Sequence, residues 1–314
     1  MKKITKHIIF ATAFLLMAAV VAVGENSSGG VQTAQNEVGR ASRPADSQRT
    51  NRAKEVTKAM AAAYPDRIAK AEYRGGDWAV LVSGTWYYYA EGRFLPESLR
   101  RTAETYRPIA FYNYPRELPL WVAPSAEESS RFREMHRTRT ARASKRSPHF
   151  FDALYRAHNS EESYERVKSL RFLGIPVMVH YSILEDLSLV EERILAAAKT
   201  DASVREWIRS IDKISGWNWR NIAETESRSF HAYGAAIDIQ PRSLGGKEVY
   251  WLWAKKEWWN IPYEGRHHPP DAVIKAFESC GFVWGGNWRS FDTIHFEYRP
   301  EVFILNGIDL MPAK

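Results

Sequence analysis

The 314-residue chain has a single cysteine, Cys280. That excludes an intrachain disulfide, a Cys-rich metal cluster and, with no cysteine near the start, a lipid-modified N-terminus. Cys280 stands before Gly281 at an expected helix end and reads as a packed residue rather than a nucleophile. Long apolar runs are equally scarce. The one present, Ile8 to Val23, follows Lys2, Lys3 and Lys6 and precedes Gly24. It is long for the apolar part of an export signal and short for a membrane span, so residues 1–24 are a signal peptide or a membrane anchor formed by residues 8–23. Either way the body is expected outside the cytoplasm, in the periplasm or cell envelope. Acidic residues are in deficit, 37 against 44 Lys and Arg, for a net charge of +7. Such a balance favours anionic surroundings without naming them, and export leaves nucleic acid as the last-ranked partner. With 45% hydrophobic and 26% charged residues the composition excludes a polytopic membrane protein.

Residues 25–52, rich in Ser, Gly, Gln, Asn and Arg, read as a disordered linker. Residues 53–125 read as a small aromatic-rich N-terminal module of unknown role, with a helix over 53–64 and a hairpin whose strands flank Ser83-Gly84-Thr85. Its aromatics suit a core, or alternatively a sugar platform. Residues 126–148 form a basic connector whose run from Arg131 to Arg146 sets Arg131, Arg133, Arg137, Arg139, Arg142, Lys145 and Arg146 against a lone Glu134. That run is either a solvated face or a dock for anionic envelope polymers. In the last stretch, residues 149–314, periodicity suggests helices over 160–173, 187–199 and 201–215 and a buried strand over 175–179. Its tryptophans, Trp217 to Trp288, suggest wide aromatic walls.

Two short segments there carry chemistry. In residues 235–240, Ile237 and Ile239 fall on one strand face and Asp238 on the other. Gly234 permits a turn that brings His231 back beside that carboxylate. In residues 294–298, Ile294, Phe296 and Tyr298 alternate with His295 and Glu297. Two His and one carboxylate are a recognised catalytic zinc set, and Asp292 is the acid left over to move protons. Alone, His295 reads as a structural histidine and Asp238 as a turn or cap residue; together the four residues point to a metal site. His267 and His268, beside Pro269-Pro270, read as an exposed loop.

The runs Ser229-Phe230-His231-Ala232-Tyr233-Gly234-Ala235-Ala236-Ile237-Asp238 and Asp292-Thr293-Ile294-His295 resemble the D-alanyl-D-alanine carboxypeptidase and L-alanyl-D-glutamate endopeptidase family of zinc peptidases, over roughly residues 172–299. The resemblance implies an α+β domain with a small antiparallel sheet flanked by helices, Zn2+ held by His231, Asp238 and His295, Asp292 as catalytic base, and peptidoglycan stem peptides as substrate. It also implies a substrate-binding role for Arg220, whose alternative is a salt bridge with Glu224 or Glu226. Ser229 and Glu297 are candidates for supporting the ligands from behind. The carboxypeptidase branch usually has Glu as base and often Trp before the histidine; Asp292 and Ile294 here resemble the endopeptidase branch. The rival readings are a D-alanyl-D-alanine carboxypeptidase and, in another class, a noncatalytic envelope-binding protein.

Overall fold

The computed structural model describes residues 44–311 except 116, 139–144, 223 and 256. The expected signal or anchor, most of the expected linker, and Arg139 and Arg142 of the basic run lie outside the described residues. The chain is α+β, with small antiparallel sheets as expected. Helix α1 (Pro44–Ala63) leads into a meander of β1 (Ile68–Arg74), β2 (Asp77–Val82), β3 (Thr85–Ala90) and β4 (Arg93–Pro96). The linker expected to run to residue 52 therefore gives way to helix at Pro44. Each turn of the meander, and that of the later β5–β6 hairpin, has two residues of positive φ ending in glycine: Gly75-Gly76, Ser83-Gly84, Glu91-Gly92 and Leu173-Gly174. Such paired left-handed residues match the twist of a tight hairpin.

Helices α2 (Ala126–Arg137), α3 (His149–Tyr155) and α4 (Ser160–Arg166) follow, then the hairpin β5 (Val167–Phe172) and β6 (Ile175–His180). Next come α5 (Leu184–Ala198), α6 (Ala202–Ser210), β7 (Ile211–Ser215), β8 (Ala236–Pro241), α7 (Asp271–Ser279), β9 (Phe282–Trp284), β10 (His295–Tyr298) and α8 (Pro300–Leu305). The second four-stranded sheet has the order β7-β8-β10-β9. Two helices expected from periodicity are cut short. The helix over 160–173 ends at Arg166 because Val167 and Phe172 are buried across the β5–β6 ladder while Lys168 and Arg171 stay outside or at its edge. The helix over 201–215 ends at Ser210. Ile211 and Ile214, three apart, look helical, but a bulge between Ile211 and Lys213 brings both to the buried side of a strand.

The expected boundary near residue 125 does not divide the core. Val56, Met60 and Tyr64 of α1, Val80 and Tyr87 of the meander, and Ile237, Ile239 and Phe296 of the second sheet belong to one buried apolar cluster. A second cluster covers the other side with Trp251, Trp258, Trp259, Trp288 and Ile294. The tryptophans expected as open walls are therefore mostly interior, with Trp253 about half exposed. Cys280 is buried in the first cluster. No helix among the described residues is long and apolar enough to cross a membrane.

Gly234 is where the second sheet meets the β5–β6 hairpin. It holds φ +67, its carbonyl accepts from His180 N at 2.9 Å, and a Cβ there would lie 2.7 Å from that nitrogen and 2.8 Å from Val167 Cγ1. Gly234→Ala should therefore cost about 2 to 3 kcal/mol from left-handed strain plus overpacking. Denaturant unfolding checks this, and a loss below about 0.5 kcal/mol would show that the junction yields. His180 beside it is buried, with Nε2 donating to Tyr155 O and Nδ1 accepting from Ser182 N. Burial lowers its pKa to about 4, the bond to Tyr155 opposing and Arg67 and Arg166 adding to the fall. The unfolded chain takes up this proton near its ordinary pKa and the folded chain only near 4. The stability this neutral histidine contributes is thus present above about pH 6.5 and lost as pH falls toward 4, by at most about 3 kcal/mol. A His180→Gln variant should show a shallower loss across that window.

Candidate metal centre

The centre is built on one cross-strand pair. β8 and β10 run antiparallel with His295 directly opposite Asp238 and Phe296 opposite Ile237, so the apolar partners go to the core and the polar pair to the other face. Asp238 Oδ1 accepts from His295 Nδ1 at 2.8 Å. His231 comes from a short helical turn, Phe230–Tyr233, just ahead of β8. Ser229 caps that turn, its Oγ accepting from His231 N at 3.3 Å, and left-handed Gly234 closes it. His231 Nε2 then lies 3.0 Å from Asp238 Oδ2 and 3.3 Å from His295 Nδ1. One ligand atom from each of the three residues lies within 4.8 Å of the others, and all three are buried.

The partners behind the rings assign their tautomers. His231 Nδ1 lies 2.6 Å from the Gly216 carbonyl and donates to it, which leaves the lone pair on Nε2. His295 Nε2 faces Glu297 Oε2 at 3.4 Å, which leaves the lone pair on Nδ1 when the ring is neutral. Two ring nitrogens and a carboxylate thus converge on one point, an arrangement that suits a cation between them, such as a metal ion holding both rings neutral. A proton meets part of the need. Burial alone would lower the pKa of His295, but hydrogen bonds to Asp238 and Glu297 outweigh it and raise it to about 10. Asp238 is held below the ordinary carboxylate range: its burial acts upward, and the two histidines overcome it.

Asp292 stands at the entry to β10, fully buried, with no hydrogen-bond partner for Oδ1 among the described residues. Burial raises its pKa well above the usual carboxylate value, with His295 opposing and the negative Asp238 adding to the rise. Arg220 belongs to the same neighbourhood. Burial lowers its pKa while the charges of Asp238 and Asp292 hold it up. The structure thus brings His231, Asp238, His295, Asp292, Arg220, Ser229 and Glu297 to one place. His267 and His268 are elsewhere: His268 is on the surface with its ring 4.9 Å from that of Trp284, and His267 is partly buried, which lowers its pKa to about 4.

Several contributors escaped the sequence reading. The Gly216 carbonyl can approach His231 because Gly216 has no side chain; a Cβ there would lie 2.1 Å from Met178 O. The Trp288 ring sits 5.5 Å from the ring of His295. Arg146, read as part of a surface run, is buried enough that its pKa falls to about 10, and its Nη2 donates to Arg228 O at 2.9 Å. Elsewhere in that run Arg133 pairs with Glu257 and Arg137 with Glu134, so the run is partly neutralised. Arg299 and Glu301 extend the polar face beyond Glu297. Their spacing at 297, 299 and 301 is an alternation of charges that could have signalled a buried ladder.

Replacing His231 or His295 with Ala should abolish stoichiometric zinc binding, measured by metal analysis after dialysis. Full occupancy in both variants would mean that the ligand set is wrong.

Comparison with known proteins bears on this segment. Residues 223–298 match a family model described as D-alanyl-D-alanine carboxypeptidase, and residues 56–111 match one described as a domain of unknown function. The peptidoglycan L-alanyl-D-glutamate endopeptidase CwlK of Bacillus subtilis (strain 168) is 30% identical over 76 residues, 23% of this chain and 40% of that protein. The chain thus spans less than half of that relative's length. No solved structure matches the chain. The segment that carries His231, Asp238, Asp292 and His295 is thus similar to the D-alanyl-D-alanine carboxypeptidase family of peptidases, as the two motifs implied.

Proposed function

We propose that this protein is an exported zinc peptidase that cuts a peptide bond in the stem peptides of bacterial peptidoglycan, as an L-alanyl-D-glutamate-type endopeptidase. The observation that carries the proposal is the convergence of His231 Nε2, His295 Nδ1 and the Asp238 carboxylate beside the buried Asp292, whose Oδ1 has no hydrogen-bond partner among the described residues. Zinc bound to the three ligands supplies Lewis-acid polarisation of the scissile carbonyl. Asp292 takes a proton from the attacking water at its carboxylate and returns it to the leaving amine. Arg220 offers a planar fork to a carboxylate of the stem peptide. Gly216 and Glu297 hold the two imidazoles from behind, and Ser229 fixes the turn that carries His231. Residues 149–314 supply this chemistry. Residues 1–24 direct or anchor the chain at the envelope, and the exposed part of the basic run, such as Arg131, meets anionic envelope polymers.

The choice of bond rests on Asp292 and Ile294, which resemble the endopeptidase branch, and on the likeness to an L-alanyl-D-glutamate endopeptidase. The second reading, removal of terminal D-alanine, is supported by the description of the matching family. Defined muropeptides incubated with the zinc-loaded protein separate the two. The endopeptidase should release fragments split after L-alanine, the carboxypeptidase only D-alanine, each distinguished by mass. Asp292→Ala should lower the rate by about 100- to 10,000-fold while zinc stays bound. A wild-type protein that releases no new amino termini, and is matched in this by Asp292→Ala, would sink the proposal.

A further inference from the structure

A chain of buried polar groups runs from the centre to the N-terminal helix. Glu297 divides its carboxylate: Oε2 faces His295 Nε2 at 3.4 Å, and Oε1 accepts from Arg299 Nη1 at 3.3 Å. Arg299, with no solvent exposure, pairs through Nε with Glu301 and donates from Nη2 to the Ala110 carbonyl at 2.8 Å. Glu301, equally buried, accepts from the Tyr64 hydroxyl at 2.8 Å. Tyr64 closes the turn after α1, its backbone N donating to Met60 O. The guanidinium of Arg299 also lies 5.3 Å over the ring of Phe230, the residue before His231. Arg299 therefore contacts the carboxylate behind His295 and packs against the residue before His231.

A buried ion network of this kind is weak support for stability, since apolar side chains of similar volume often do as well. What it does provide is orientation. A carboxylate tethered at both oxygens cannot rotate, so the His295 ring stays with Nδ1 toward Asp238 and His231. Tyr64 and the Ala110 carbonyl both come from the region matched only by a domain of unknown function.

We propose that Arg299, Glu301 and Tyr64 are positioning residues that fix His295 through Glu297, and that the segment around residues 56–111 is thereby a built-in support of the metal centre. This rests on the reading of the centre as a zinc site. The test uses the full-length protein and two readouts: zinc affinity by competition with a chromophoric chelator, and the absorption bands of the cobalt-substituted protein, which report ligand geometry. Glu297→Gln should weaken zinc by about 10- to 100-fold, Arg299→Lys by about 10-fold and Tyr64→Phe by about 3-fold, each with shifted cobalt bands. Val80→Ala, which loosens the same core without touching the polar chain, should leave both unchanged once folded. If Arg299→Lys does not fold, Tyr64→Phe decides. Folded Tyr64→Phe and Arg299→Lys proteins with wild-type affinity and wild-type cobalt bands would overturn the inference. A wild-type protein that binds no zinc would overturn it together with the proposed function, whereas one that binds zinc but cuts no peptidoglycan would overturn the function alone.

Discussion

The register between β8 and β10 is the constraint on which the centre depends. His295 pairs with Asp238 and Phe296 with Ile237, so one alternation sends the ligands to one face and the apolar residues to the other. A slip of one residue would exchange the faces, placing Asp238 among the aromatics of the core. Burial of Ile237, Ile239 and Phe296 in the larger cluster opposes that slip, and the bond from Ile239 N to Ile294 O, at 2.9 Å, extends the pairing past the strand end. The third ligand is tied to the same register at one remove. His231 lies on a turn closed by Gly234, and the next carbonyls and amides, through Ala235, already belong to the approach of β8.

Burying so many charges in one place demands compensation, because an unpaired ion away from water costs several kcal/mol. The polar face of the second sheet meets the demand with near balance. The carboxylates Asp238, Glu297 and Glu301 stand against the guanidiniums Arg146, Arg220 and Arg299. All three of those arginines come from outside the segment that matches the peptidase family: Arg146 and Arg220 precede it and Arg299 follows it by one residue. The matching segment therefore holds the ligands, while part of its electrostatic support comes from the rest of the chain.

How far the sequence reveals this differs from residue to residue. Asp238 and His295 are legible because strand alternation is local and each sits between apolar neighbours that must go the other way. The hairpin at Ser83-Gly84 is legible because left-handed backbone leaves its mark in glycine. β7 is not, since a bulge gives Ile211 and Ile214 the spacing of a helix. The Tyr64–Glu301 bond is beyond any local reading, for its partners are 237 residues apart. The same holds for the shared core, which an apparent boundary near residue 125 conceals because the packing of α1 on α8 joins segments far apart in the sequence.

Asp292 draws these strands together. Burial and the negative charge of Asp238 push its carboxyl well above the ordinary carboxylate range, an unusual setting for the candidate base. A divalent ion held by His231, Asp238 and His295 would add positive charge beside Asp292, opposing the field of the Asp238 carboxylate. The Asp292 carboxyl would then be drawn toward its ionised form. Its burial, costly for a lone carboxylate, would become an advantage, because in a water-poor site a nearby cation acts on it with little screening. The burial that raises the Asp292 pKa thus ties its basicity to the positive charge gathered at His231, Asp238 and His295.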